Sequence, residues 1–322
     1  MRGRVTSGGN GMNDGNKLAL VFPGQGAQAI GMGRALAEAS PAARAVFNEV
    51  DEALGEPLSR LIWEGEAEAL TLTANAQPAL MATSIAAVRA LQEAGARAPD
   101  FVAGHSLGEY SALCAAGALD LADAARLLRL RGRAMQEAVP VGEGAMAALL
   151  GLDLAGAEAV AAEAAQGQVC EAANDNDPAQ VVISGHRAAV ERALEIAKAH
   201  GAKRAMLLPV SAPFHCALMQ PAAEAMAEAL AGVEIVAPRV PLVANVTAGP
   251  VSDPAEIRRL LVAQVTGRVR WRESVQWMVG AGVTEFWEVG AGKALSGMIR
   301  RIHKEAAVQA VGTPGDVAAV LG

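Results

Sequence analysis

Gly104-His-Ser-Leu-Gly108 lies between a short apolar run beginning at Phe101 and a run of helical character. This is the setting of a nucleophile elbow, where a serine sits in a sharp strand-to-helix turn with its hydroxyl pushed out of the sheet. Glycines two residues to either side let neighbouring backbone pass without a Cβ clash. A helix starting just after Ser106 turns free N–H groups and its positive dipole end toward a developing oxyanion. The chemistry is nucleophilic attack on a carbonyl. The competing reading is a chance glycine–serine turn in a chain with 34 glycines.

A serine hydroxyl needs a base. Of the five histidines, His105 neighbours Ser106, and adjacent side chains at an elbow diverge. His200 precedes Gly201 and suits a helix C-terminus. His186 starts a helix, and His303 lies in a basic helical tail. His215 follows Pro213-Phe214, where a loop can return toward the elbow, and is the preferred base over a purely structural histidine. Ala124, Leu127, Leu128, Arg131 and Met135 share one helical stripe, so Arg131 points inward while Arg126, Arg129 and Arg133 fall where solvent can reach them. A buried guanidinium needs a partner, either an internal Asp or Glu or a substrate carboxylate held bidentately. Gln264 shares an inward stripe with Ile257, Leu260 and Leu261. Gln25, in the turn Pro23-Gly-Gln-Gly26, can aim its N–H at the same point as that of Leu107, and two such donors form an oxyanion hole. That turn fits neither a dinucleotide fingerprint nor a phosphate-binding loop.

The elements that must position these groups are read from pattern. Leu18–Phe22 is a buried strand, and helices follow over 33–54 and 78–95. Asp120 caps a helix running to Met135. The segments 144–151, 154–166, 169–173, 180–184, 187–200 and 203–210 then alternate as βαββαβ, with Asn174–Pro178 as a turn cluster. Helices at 216–231 and 254–265 and a strand at 285–289 complete a mostly parallel α/β domain interrupted by a small α+β insert.

The 322 residues suffice for one large domain carrying an insert, and at 52% hydrophobic and 3% aromatic the core is chiefly Ala, Leu and Val. No window of about 18 residues is apolar without breakers, so no membrane span is expected. Residues 1–16, Gly/Asn-rich and lacking an apolar segment, read as a disordered tail and not a signal peptide. Cys114, Cys170 and Cys216 are odd in number and without metal-like spacing, which predicts a reducing cytoplasm, no disulfide framework and no metal site. A net charge of −7 disfavours nucleic acid as a partner.

Together, Pro23-Gly-Gln-Gly26, Gly104-His-Ser-Leu-Gly-Glu-Tyr110, Arg131-Gly132, Asn174 with Gln180–Gly185, Pro213-Phe-His215 and Glu288-Val-Gly290 resemble the malonyl-CoA:acyl carrier protein transacylases of fatty acid synthesis, from about Leu18 to the C-terminus. The resemblance implies an α/β-hydrolase-like large subdomain (17–138 and 212–322) with an inserted ferredoxin-like small one (139–211). It implies ping-pong transfer of malonyl from malonyl-CoA to acyl carrier protein without a cofactor, in a cytoplasmic monomer. Ser106 would be the nucleophile, His215 the base and the Gln264 carbonyl its orienter. Gln25 and Leu107 would form the oxyanion hole, Arg131 the carboxylate clamp, and His105, Asn174 and Phe214 further substrate contacts, with Phe214 setting acyl size. Lys203 and Arg204 are the first candidates for docking the acidic carrier, Arg300 and Arg301 the second. Two departures stand out: Arg268 where relatives often have proline, and Gly290-Ala-Gly292 where they often have Gly-Pro-Gly.

The competing enzymes are an esterase or thioesterase and an acyltransferase serving a polyketide synthase. The first needs a triad acid between Ser106 and His215, and where its oxyanion hole is of the HGGG type, that motif too, which is absent here. A carrier-binding scaffold is the non-enzymatic reading.

Overall fold

The computed structural model describes residues 16–210 and 212–322, so all but the end of the expected tail lies outside it. Among the described residues the strands are β1 (Lys17–Phe22), β2 (Phe101–Gly104), β3 (Gly144–Leu150), β4 (Cys170–Asp177), β5 (Gln180–His186), β6 (Arg204–Leu207), β7 (Leu242–Ala244), β8 (Gly249–Val251), β9 (Val283–Val289) and β10 (Ala307–Val311). They form two separate sheets.

The larger sheet runs β10-β9-β1-β2-β7-β8 and is parallel except for β8. Its central strands are covered on both faces, which is why they read as apolar runs without alternation. Leu18, Leu20, Phe22 and Val102 pack into one core beside the helix Thr73–Glu93. Ala19, Val21, Ala103 and Val243 face the other, with Trp271 and Ile299. At the end of β9 the buried Glu288 carboxylate accepts from the Leu295 and Ser296 N–H groups, at 3.0 and 2.7 Å, and so caps the helix Ala294–Ile302.

The smaller sheet is antiparallel, in the order β4-β5-β3-β6. Helices Leu154–Ala165 and Arg187–Ala199 interrupt it as the spacing predicts. Ala147, Leu149, Val181 and Ile183 face these helices, while Met146, Ala148 and Val182 join the core of the larger unit. The chain's two crossings between the sheets touch: a Cβ on Gly144 would lie 2.4 Å from Pro213 Cδ.

The structure corrects three readings. The expected turn at Asn174–Pro178 is strand as far as Asp177. Three of its buried polar side chains have partners there. Asp175 accepts from Arg272 Nη2 at 2.8 Å, Asn176 meets His105 at 2.8 Å, and Asp177 accepts from Arg301 Nε at 2.7 Å. The backbone on the far side of β4 is also paired, since Asp175 N–H donates to the Val269 carbonyl at 2.9 Å. The helix expected from Pro78 starts at Thr73, with Pro78 inside it. Proline cannot donate to the carbonyl four residues back. Arg129 Nη1 donates to that carbonyl, on Ala74, at 2.9 Å. Arg129, expected in solvent, is therefore buried, and Glu56 and Asn75 complete its shell. Strands β7, β8 and β10 were not anticipated.

Candidate active site

Strand β2 delivers Ser106 and the helix Gly108–Ala115 leaves it. Ser106 has φ 53°, a left-handed conformation that an L-residue holds only when its surroundings over-determine it. Close backbone approach supplies that constraint. A Cβ on Gly104 would sit 1.9 Å from the Gly108 carbonyl carbon, and one on Gly108 would sit 2.3 Å from the Phe22 carbonyl oxygen. No residue but glycine fits either position.

The Ser106 hydroxyl lies 2.8 Å from His215 Nε2, and His215 Nδ1 lies 2.9 Å from the Gln264 carbonyl. A carbonyl only accepts, so Nδ1 carries the proton and Nε2 is free to accept from Ser106. Burial, reinforced by the nearby charge of Arg131, pushes the imidazole pKa down to about 3. His215 is thus neutral at ordinary pH and can take a proton. Cys216, next in sequence, is fully buried, and burial raises its thiol to about 11, which disqualifies it as a rival nucleophile.

Arg131 is buried with no carboxylate at ion-pair distance among the described residues. Nη1 donates to Gln77 Oε1 at 2.8 Å, and Nη2 donates to Gln264 Oε1 at 2.7 Å and Ser106 Oγ at 3.2 Å. The ring of Tyr110 lies 5.8 Å from the guanidinium. An amide dipole orients a guanidinium without neutralising it.

These groups open on a cavity of about 390 Å³. Gln25, Leu107, His105, Asn174 and Phe214 line it too. The backbone N–H groups of Gln25 and Leu107 have no acceptor among the described residues. His105 Nε2 donates to Asn176 Oδ1 at 2.8 Å, and burial holds the ring below its usual pKa. Lys203 and Arg204 are exposed away from this cluster. Arg204 pairs with Leu150, and the cavity-lining Leu208 stands four residues further on, about 13 Å of strand. Arg301 is paired with Asp177, and Arg300 donates to the Val308 carbonyl. Arg268 donates to the Ala172 carbonyl at 3.0 Å and pairs with Glu158. Among the described residues no group of three or more His, Cys, Asp or Glu could hold a metal ion, and no helix is long and apolar enough to cross a membrane.

Gln77, which anchors Arg131, and two residues beneath Ser106 were missed in the sequence. Asn245, just after β7, accepts from the Ser106 N–H at 2.8 Å and donates to the Gly104 carbonyl at 2.6 Å, clamping both arms of the elbow. Nothing in Ala-Asn-Val-Thr247 distinguishes it from an ordinary turn. Glu109 is buried beside it and accepts from Gln264 Nε2 at 2.5 Å. Burial raises its pKa to about 7 against the opposing pull of that hydrogen bond. Here there was a signal: Glu109 is the only Asp, Glu, Lys or Arg between Asp100 and Asp120.

Residues 19–312 match the family model of the acyl transferase domain. A malonyl CoA-acyl carrier protein transacylase of Bacillus subtilis (strain 168) is 50% identical over 300 residues, 93% of this chain and 94% of that protein. The crystal structure of an acyl-carrier-protein-S-malonyltransferase from Bartonella henselae has a TM-score of 0.93 at 57% identity, covering 95% of this chain and 98% of that one. A malonyl-transacylase solved in complex with a type II PKS acyl-carrier protein gives 0.93 at 45% identity, with coverage of 95% and 99%. The chain is an acyltransferase and belongs to the malonyl CoA-acyl carrier protein transacylase family.

Proposed function

We propose that this enzyme moves a malonyl group from coenzyme A to the phosphopantetheine thiol of acyl carrier protein, through a malonyl ester on Ser106, in support of fatty acid synthesis. The observation that carries this is a buried Arg131 guanidinium, with no carboxylate at ion-pair distance among the described residues, 3.2 Å from a serine hydroxyl that is itself 2.8 Å from a neutral imidazole. A simple esterase has no use for a buried cation there.

Ser106 Oγ attacks the thioester carbon as its proton passes to His215 Nε2. The Gln25 and Leu107 N–H groups face the oxyanion. Collapse expels the coenzyme A thiolate, which takes the proton from His215. The carrier thiol then gives a proton to His215 and attacks the ester, and Ser106 leaves with that proton. The Gln264 carbonyl holds the imidazole direction, and a neutral orienter is enough for that task. Arg131 pairs with the malonyl carboxylate, His105 and Asn174 bound the acyl site, and Phe214 limits substituents at C2. No step calls for a cofactor.

The larger sheet and its helices read as the α/β-hydrolase-like subdomain (17–138 and 212–322), and the smaller sheet as a ferredoxin-like insert (139–211). The strand order β4-β5-β3-β6 supports the second assignment. We read the enzyme as a cytoplasmic monomer, in keeping with three free, buried cysteines. Lys203 and Arg204 are the proposed carrier contacts, with the phosphopantetheine arm spanning the remaining distance to Ser106.

Intact mass spectrometry after mixing with malonyl-CoA tests the scheme. A malonyl adduct is expected on the wild type and none on Ser106→Ala. An adduct surviving in that variant overturns the nucleophile assignment.

A further inference from the structure

Glu109 has no task in the acyl transfer just described, yet its carboxyl is 1% exposed directly beneath the nucleophile. Its Oε2 accepts from Gln264 Nε2 at 2.5 Å and from the Asn245 N–H at 3.4 Å. The same Gln264 nitrogen donates to the Ser106 carbonyl at 2.9 Å. With the amide nitrogen committed to those acceptors, Oε1 faces Arg131 and accepts from Nη2 at 2.7 Å. A guanidinium only donates, so a flipped Gln264 amide would set donor against donor.

Gln77 on the helix Thr73–Glu93 anchors the other arm of the guanidinium at 2.8 Å. Two amide oxygens on separate helices therefore aim Arg131, and one of them is itself aimed by Glu109. We propose that Glu109 is a positioning residue that holds the Gln264 amide oxygen toward Arg131 and thereby sets the preference for carboxylated over uncharged acyl groups. The proposal rests on the reading of Arg131 as the carboxylate clamp. A carboxylate, a protonated carboxyl and a primary amide each offer Gln264 an oxygen, and an apolar side chain offers none. Glutamine at 109 must therefore preserve the arrangement, and methionine must loosen it, leaving Gln264 Nε2 held chiefly by the Ser106 carbonyl.

The test is to measure kcat and KM for malonyl-CoA and acetyl-CoA in the full-length wild type, E109M, E109Q and Arg131→Ala. In E109M the malonyl KM rises and the malonyl-to-acetyl ratio of kcat/KM falls about tenfold, the scale of one lost buried hydrogen-bond anchor, while acetyl transfer stays within about twofold. E109Q returns the ratio to within about twofold of wild type. An unchanged ratio in E109M, an equal loss for both acyl groups, or an E109Q as unselective as E109M overturns the proposal. If thermal melts show E109M unfolded, Gln264→Met serves in its place: it keeps the backbone carbonyl, must lower the ratio equally, and overturns the proposal if it does not. Arg131→Ala separates the two layers. A ratio unmoved there brings down the clamp and this proposal together, whereas a ratio moved there but not in E109M removes only the role of Glu109.

Discussion

Arg129 and Arg131 stand two residues apart on the helix Leu121–Glu137, and both are buried. Arg129 meets the Glu56 carboxylate, the Asn75 amide and the carbonyl that Pro78 leaves unpaired, so its charge is matched within the fold. Arg131 meets two amide oxygens and a hydroxyl, and its charge is left for something else. Burial alone does not separate a structural arginine from a binding one; the charge of its neighbours does.

Substitution tests that contrast most sharply at Arg131. Arg131→Ala removes a charge-assisted anchor, worth about 2–5 kcal/mol when the opposite charge stays desolvated. Malonyl transfer should collapse while acetyl transfer falls little, as kcat/KM for the two acyl-CoA substrates will show. Equal losses would make Arg131 a second Arg129.

Arg129→Ala should do the opposite. It leaves the Ala74 carbonyl without its donor, while the exposed Glu56 carboxylate returns to water, and about 2 kcal/mol of stability should go, read as a lower urea midpoint. The malonyl-to-acetyl ratio should not move. A change in selectivity without loss of stability would erase the distinction.

Acidity sharpens the comparison at Glu109, which shares the Arg131 cluster. Its folded pKa of about 7 lies above the ordinary 4.5, so the native state keeps a proton that the unfolded chain has released. Stability from this group is full below about 4.5 and is lost as pH rises to about 7, by up to about 3 kcal/mol. His215 runs the other way: neutral when folded, it costs stability as pH falls from 6.5 toward 3. Subtracting the unfolding free energies of E109Q from those of wild type isolates the carboxyl. The difference should shift against the wild type between pH 4.5 and 7, and a flat difference would mean that Glu109 titrates normally. Against that burial, the Gln264 amide, the Asn245 N–H and the Arg131 charge are the groups that favour its ionised form.

The smallest effect is expected at the surface. Reversing Lys203 and Arg204 to Glu should raise KM for acyl carrier protein several-fold at low salt, less as salt rises, and leave malonyl loading of Ser106 intact. Unchanged carrier kinetics would move the docking site elsewhere.

What was legible in the sequence follows from how local each constraint is. Gly104 was readable because the clash it avoids, with Gly108, lies within five residues, whereas the one Gly108 avoids is with the distant Phe22. Arg131 was readable as inward because a helical stripe carries direction. Arg129 was not, because its partner is a carbonyl orphaned by a proline 51 residues away in the chain. The run Asn174–Asp177 was read as a turn because its burial depends on Arg272 and Arg301, nearly a hundred residues or more downstream. Asn245 offered no local sign of its grip on the elbow.

The touching of Gly144 and Pro213 has a consequence of a different kind. A segment whose entry and exit meet adds little loop-closure entropy to the chain that hosts it. The smaller sheet is therefore a cassette: it can be lengthened, trimmed or exchanged while the parent sheet stays closed. His215, the proposed base, comes two residues after the return, so it would be inherited with the splice and not with the sheet that carries Ser106. A recombination that respects both crossings would exchange one wall of the acyl site and keep the reaction.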